Sequence, residues 1–319
     1  MSEKNPFTRS FWRSPRPPHA FVLTRERLVY VGPQDATRKA ALGAALSLRV
    51  LARPLPPETF TPGAGEVPVA GPALGGALQR LLAEVAVKVT GASLVVPDAF
   101  ARLLAADVDD PDAHPRETDE VLAWKFGRTF GDLAPELRLS WQSVGPGGEG
   151  TRVLALAVPE PAAASWEAPF EKAGIRIGAL ETGAFAVSAL AKPAPSGESV
   201  LVWADGGTAT ALFFADGALR FARTRPADAD ASETLHEIRL AASYLGAGGE
   251  AGELAGACAA GPPEAPVVAA LAAFRRERAL PDVQPLSLAA LVPTASVVPA
   301  ASASDPATLT GLGALAKGL

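Results

Sequence analysis

Apolar residues fall in short runs separated by turn residues along most of the chain, and the period of those runs predicts a mixed α/β protein. The stretch AFVLTRERLVYVG (Ala20–Gly32) reads as a β-hairpin with the polar tip Thr24-Arg25-Glu26-Arg27. Pro and Gly crowd residues 53–72, which read as loop. In ALGGALQRLLAEVAV, Leu74, Leu78, Leu81 and Val85 recur at helical spacing. ASLVVPD is a short buried strand stopped at Pro97. The acidic ADVDDPDAHPRETDE reads as a solvated loop, and Thr118 as the cap of the next helix, DEVLAWKFGRTF. LRLSWQSV alternates, sending Leu137, Leu139 and Trp141 to one side, and RVLALAVP is its more buried partner strand. A helix closed by Gly174 follows, then the strand IRIGALE and the helix TGAFAVSALA.

KPAPSGE (Lys192–Glu198) reads as a linker. Beyond it, VLVWADGGTATALFFADGALRFARTR (Val200–Arg225) predicts three strands joined by two tight turns. ASETLHEIRLAASYLG places Leu235, Ile238, Ala242 and Leu245 on one helical face. A strand, GELAGACAAG, and two helices, APVVAALAAFRRERAL and PATLTGLGALAKGL, complete the pattern.

Composition narrows the function classes. A chain of 319 residues has room for two domains or one lobed one, and 48% hydrophobic with 20% charged residues suits a packed core. The net charge of −5 gives no overall basic footprint for nucleic acid. Positive charge is concentrated at the start, where Lys4, Arg9, Arg13 and Arg16 alternate with Phe7, Phe11 and Trp12. That segment reads either as a contact for an anionic membrane or a partner, or as a tail tucked against the body or left without order. Cys258 is the only cysteine and lies among small residues, so no disulfide forms within the chain and a packing role is expected. His19, His114 and His236 are far apart, and Asp107, Asp109, Asp110 and Asp112 lack the Gly and late Glu of a calcium loop; no metal site is expected. The first 19 residues hold no apolar leader core, and the longest uncharged run, 283–304, is broken by Pro285, Pro293 and Pro299. A cytoplasmic protein is expected.

The order of these elements resembles PilM, the actin-like protein of type IV pilus assembly, and the cytoplasmic part of the type II secretion protein GspL. LVVPD followed by VLAWKFGRTF is similar to the family's strand and the helix of its inserted subdomain. The segment from LRLSWQSV through TRVLALAVPEPAAASWEAPFEKAGIRIGALETGAFAVSAL follows the family's strand pair, helix, strand and helix. LFFADGALRFAR is similar to its second-lobe hairpin, HEIRLAASYL to a helix of that lobe, and LTGLGALAKGL to its terminal helix. The resemblance spans about Ala20 to the end. It implies a two-lobed actin-like (ribonuclease H-like) α/β fold: a basic tail over 1–19, a first lobe over 20–192 with a small α+β subdomain inserted at about 101–180, and a second lobe over 193–319. It also implies an ATP cleft, docking of the cytoplasmic N-terminal peptide of a PilN-like membrane protein, and association into a ring at the inner membrane.

Such a cleft places glycines where backbone approaches phosphate and carboxylates where Mg²⁺ and its waters are oriented. The first hairpin tip of this chain has neither the Asp nor the Gly of the family pattern, leaving Thr24 and Arg25 as its phosphate-facing candidates. At the second tip, Asp205, Gly206, Gly207, Thr208 and Thr210 form a convincing turn by eye. Counting back from Asp216-Gly217 by the family's hairpin length instead puts Trp203 at the Asp position and Asp205 at the Gly position, which breaks the site. Only Gly261 stands where the family has a Gly-Gly pair near the adenine. Weak Mg·ATP binding or none, with little turnover, is the expectation.

Glu181 reads either as a cleft carboxylate or as an acidic residue stabilised at a helix N-terminus. Trp124, Phe126 and Trp141 are candidates to line a partner groove between the first lobe and the inserted subdomain, with core packing as the alternative for each. The favoured function is a scaffold peripheral to the inner membrane. The alternative is an active ATPase or sugar-kinase relative using Asp205 and Thr208. A dinucleotide binder built on Gly246–Gly249 ranks last, because GAGG is too short for the fingerprint.

Overall fold

The computed structural model describes residues 17–34, 48–131, 136–146, 148–191, 197–205, 208–215, 218–226, 254–260 and 305–316, with scattered residues between 232 and 285. Two five-stranded sheets dominate. The first is built from β1 (Ala20–Leu23), β2 (Arg27–Pro33), β3 (Leu48–Pro54), β6 (Gly91–Val96) and β10 (Arg176–Thr182), in the order β10-β6-β1-β2-β3. The second is built from β11 (Glu198–Asp205), β12 (Thr208–Ala215), β13 (Ala218–Pro226), β14 (Leu254–Ala260) and β15 (Gln284–Pro285), in the order β13-β12-β11-β14-β15.

The two sheets share one plan. In each, the first three strands form an antiparallel meander, and the fourth and fifth add in parallel on the other side of the first. Parallel neighbours need crossovers, and helices supply them in the first lobe. These are α1 (Ala73–Leu82), which precedes β6, and α3 (Glu160–Lys172), which precedes β10; α4 (Gly183–Ala191) follows β10 and precedes the second sheet. α5 (Pro306–Ala316) returns from the end of the chain to pack on α4, β1 and β2 of the first lobe.

A third, three-stranded sheet interrupts the first lobe after β6. It consists of β7 (Arg102–Val108), β9 (Thr151–Pro159) and β8 (Leu137–Pro146), in the order β7-β9-β8, with α2 (Pro115–Phe130) packed against it. Its separate core gathers Leu122, Phe126, Trp141, Val153 and Ala155. By Arg176 the chain is again in the first-lobe sheet, since β10 pairs in parallel with β6. A minor two-stranded ribbon, β4 (Phe60–Thr61) with β5 (Val69–Ala70), lies within the Pro- and Gly-rich segment.

Several local expectations are corrected. β3 is a full strand where no element was read, and it overlaps the expected loop only at Arg53 and Pro54; Arg49 and Arg53 mask its period, as suits a charged edge strand. β7 takes Ala106, Asp107 and Val108 out of the acidic loop, because Asp107 sits opposite Arg152 in the ladder and pairs with it. α2 starts at Pro115, so Thr118 is not its cap. Thr118 lies in the first turn and donates its hydroxyl to the His114 carbonyl at 3.0 Å. α1 ends at Leu82, short of Val85. Most of the two helices read within 231–246 and 265–280, and the linker residues 192–196, lie outside the described residues.

Candidate functional site

The faces of the two lobes meet around the ends of β6, β10 and β11, the start of α4 and the last helix. At the first hairpin tip, Thr24 closes its own turn. Its hydroxyl oxygen accepts from the amides of Arg27 at 3.0 Å and Glu26 at 3.2 Å, and donates to the Arg27 carbonyl at 3.1 Å; the Thr24 amide also bonds that carbonyl, at 2.9 Å. Three amides of the tip are therefore engaged within the turn, in the manner of a Ser/Thr turn. The Arg27 guanidinium pairs with Asp305. Asp305 in turn caps α5, accepting from the Thr308 amide at 3.0 Å and the Thr308 hydroxyl at 2.8 Å.

At the second tip the ladder runs from Glu198↔Ala215 to Asp205↔Thr208, with Trp203 opposite Thr210. β12 keeps all eight of its residues. Gly206 and Gly207, which connect the strands, and Gly261 beyond β14, lie outside the described residues. Asp205 thus ends its strand at a two-residue turn, while Trp203 lies within the ladder. The Trp203 ring is fully buried, with its indole NH beside Gly183 and Thr310. Among the described residues that NH has no hydrogen-bond partner, which costs about 1–3 kcal/mol of desolvation.

Sequence reading missed the carboxylate at the centre of this junction, Asp98. It follows β6 after Pro97 and is buried. Its Oδ1 accepts from the Ala184 amide at the start of α4 at 3.0 Å, and its Oδ2 accepts from the Thr210 hydroxyl of β12 at 2.6 Å. The Thr210 and Thr224 hydroxyls, on neighbouring strands, are 2.9 Å apart. Burial raises the Asp98 pKa above the ordinary carboxylate value, opposed by hydrogen bonds from Thr210, Ala184, Thr182 and Gly183. A first-lobe carboxylate therefore occupies the N-terminus of α4 and ties it to the second lobe. A helix N-terminus facing a cleft is also where an external anion binds well; here the chain supplies its own. The only sequence signal was an Asp just after a buried strand, and its partner Thr210 lies 112 residues away.

The other candidates are dispersed. Glu181 is the penultimate residue of β10, opposite Val95, and is buried. Phe126 and Trp141 belong to the core of the inserted subdomain; the Trp141 NH donates to Asp119 at 2.9 Å. Trp124 faces outward at 59% exposure. It lines a groove of about 1140 Å³ built entirely from residues 104–152, within the inserted subdomain and not between it and the first lobe. His19 is a buried histidine bonded to the Tyr30 hydroxyl at 2.9 Å. Among the described residues no group of acidic, His or Cys side chains is arranged to hold a metal ion.

No family model matches the chain, and no curated protein does. Solved structures do. A PilM–PilN type IV pilus biogenesis complex aligns with 96% of this chain and 99% of its own, at 13% identity and a TM-score of 0.69. A Bacteroides thetaiotaomicron protein of unknown function with an actin-like ATPase fold aligns with 95% of this chain and 99% of its own, at 8% identity and 0.53. The cytoplasmic domain of EpsL, an inner-membrane component of the Vibrio cholerae type II secretion system, aligns with 93% and 94%, at 10% identity and 0.50. Identities this low speak to architecture, and the twice-used strand plan agrees with them: the chain has the actin-like ATPase fold, similar to PilM along nearly its whole length.

Proposed function

We propose that this chain is a cytoplasmic scaffold of a type IV pilus or type II secretion assembly platform, that it docks the N-terminal peptide of a PilN-like membrane protein, and that its nucleotide site has lapsed. The observation that carries the reading is the pairing of a complete actin-like frame with a first hairpin tip closed on itself. An actin-like ATPase needs that tip to offer free amides and a carboxylate to the phosphates and Mg²⁺. Here Thr24 engages the amides, and Asp98 fills the α4 N-terminus from within. The likeness to PilM supports the pilus or secretion setting and a PilN-like partner. No helix among the described residues is long and apolar enough to cross a membrane, which fits a protein recruited to the membrane by such a partner.

One feature favours a second reading, a nucleotide-responsive ATPase: Asp205 and Thr208 face each other at the end of the ladder, with Gly206 and Gly207 between them in sequence. Titration of the chain with a synthetic peptide from the cytoplasmic N-terminus of a PilN-like protein tests the scaffold reading. Micromolar binding that is indifferent to Mg·ATP is expected. Absence of binding, or binding that requires ATP, would remove the scaffold reading or replace it with the nucleotide-responsive one.

A further inference from the structure

α2 presents two stripes. Thr118, Leu122 and Phe126 turn inward and are buried against the sheet. Val121, Trp124 and Arg128, at helical spacing on the outside, stay exposed, Val121 at 41% and Trp124 at 59%. The Arg128 guanidinium lies over the Trp124 ring at 5.0 Å. An outward tryptophan beside a valine on a helix that already has a core face is an apolar surface in want of a cover. The opposite wall of the groove is β7, an edge strand of its sheet.

The groove is also charged. Asp107, Asp109, Glu117, Glu120 and Glu149 line it, against Lys125, Arg128 and Arg152. Arg152 is committed to Asp107, bonding both carboxylate oxygens at 2.6 and 3.0 Å. The balance is acidic around an apolar floor, so the complementary ligand is a basic peptide carrying aromatic side chains. Residues 4–16 of this chain have that composition: Lys4, Arg9, Arg13 and Arg16 interleaved with Phe7, Phe11 and Trp12.

We propose that the α2–β7 groove of the inserted subdomain is the docking site of the chain's own N-terminal segment, Lys4–Arg16. Aromatic rings cover Val121 and Trp124, and the arginines meet the carboxylates of the rim. Pro17 is placed against Gly178 of β10, so the segment is tethered to the body. A tethered ligand faces its site at an effective concentration in the millimolar range, so even modest complementarity fills the groove. Extended chain carries Phe7 up to about 33 Å from Pro17. Occupancy would also hide the most cationic stretch of an otherwise acidic protein until a competitor displaces it. The inference stands apart from the nucleotide cleft and does not require the PilN-like partner.

The test is limited tryptic digestion of the full chain, following cleavage after Lys4, Arg9 and Arg13. Wild type is compared with Trp124→Ala and with Glu117→Arg/Glu120→Arg; thermal unfolding should show that these surface changes leave the fold intact. Cleavage is expected to accelerate about tenfold in both variants, and in wild type at about 0.5 M salt. Combining Arg9→Glu/Arg13→Glu with Glu117→Arg/Glu120→Arg, and following cleavage after Lys4, should restore slow cleavage, which a merely structural effect of the groove variants would not. Equal cleavage in wild type and both variants overturns the proposal. So does protection that arises only with vesicles of anionic phospholipid and is insensitive to the groove variants, because the segment then belongs to a membrane surface.

Discussion

Asp98 joins the two lobes through a single carboxylate, and its chemistry makes distinct predictions for two substitutions. Because burial raises its pKa, the folded chain holds the Asp98 proton more tightly than the unfolded chain does. The contribution of this group is therefore complete below the unfolded value of 3.8 and is lost as pH rises through the raised folded value. Asp98→Asn keeps an acceptor for the Ala184 amide and offers Thr210 an amide donor in place of the charge. It should remove that slope and match or exceed wild-type stability near neutral pH, read by denaturant unfolding at several pH values. Asp98→Ala leaves the Ala184 amide and the Thr210 hydroxyl without their acceptor in a buried site, and should cost roughly 3 kcal/mol. A wild-type stability that rises through that range by virtue of Asp98 would contradict the account. Trp203→Phe keeps the buried ring while removing the unpartnered NH. Its thermal midpoint should stay within a few degrees of wild type, because the gain from losing the orphan donor offsets the smaller ring. None of this was legible in the sequence. Thr24 was named as a phosphate candidate, but a hydroxyl that turns back onto its own hairpin has the same sequence as one that faces a ligand.

At the scale of elements, α4 and α5 approach each other closely. A Cβ on Gly313 would lie 2.1 Å from the Ala186 carbonyl oxygen, and one on Gly311 would lie 2.5 Å from a Val31 methyl. The run of small residues in LTGLGALA serves this contact, letting α5 sit on both α4 and the β1–β2 hairpin. Gly313→Ala should therefore destabilise by about 1–3 kcal/mol despite its better helix propensity, because the obstruction is backbone and cannot move aside. Thermal unfolding would show it; a variant stabilised by the propensity gain would mean the helices do not cross so closely. A second element-scale link is Arg138 of β8, which bonds Glu160 at 2.6 and 3.0 Å and Glu167 at 2.7 Å and so ties the inserted sheet to α3. Elements with a clear period, such as the first hairpin, α2, β8–β9 and α4, were readable because one face of each is apolar. β3 and β7 were not: Arg49 and Arg53 interrupt the period of β3, and Asp107 of β7 pairs with Arg152 across strands, a pairing that belongs to the folded sheet.

For the whole molecule, the two sheets repeat one five-strand order although no short repeat is visible in the sequence. A strand plan is set by which runs pair, and many sequences satisfy it, so likeness persists at 13% identity. The order of weak motifs carried the fold, but the state of the cleft had to come from hydrogen bonds. The central claim is that this frame survives as a scaffold after its phosphate chemistry lapsed. Calorimetric titration of the full chain with Mg·ATP, with Asp205→Ala as the control, tests it most directly. The account predicts no binding heat for either protein at high protein concentration. Micromolar binding by the wild type that disappears in Asp205→Ala would contradict it and return the Asp205–Thr208 turn to the role of a working phosphate site.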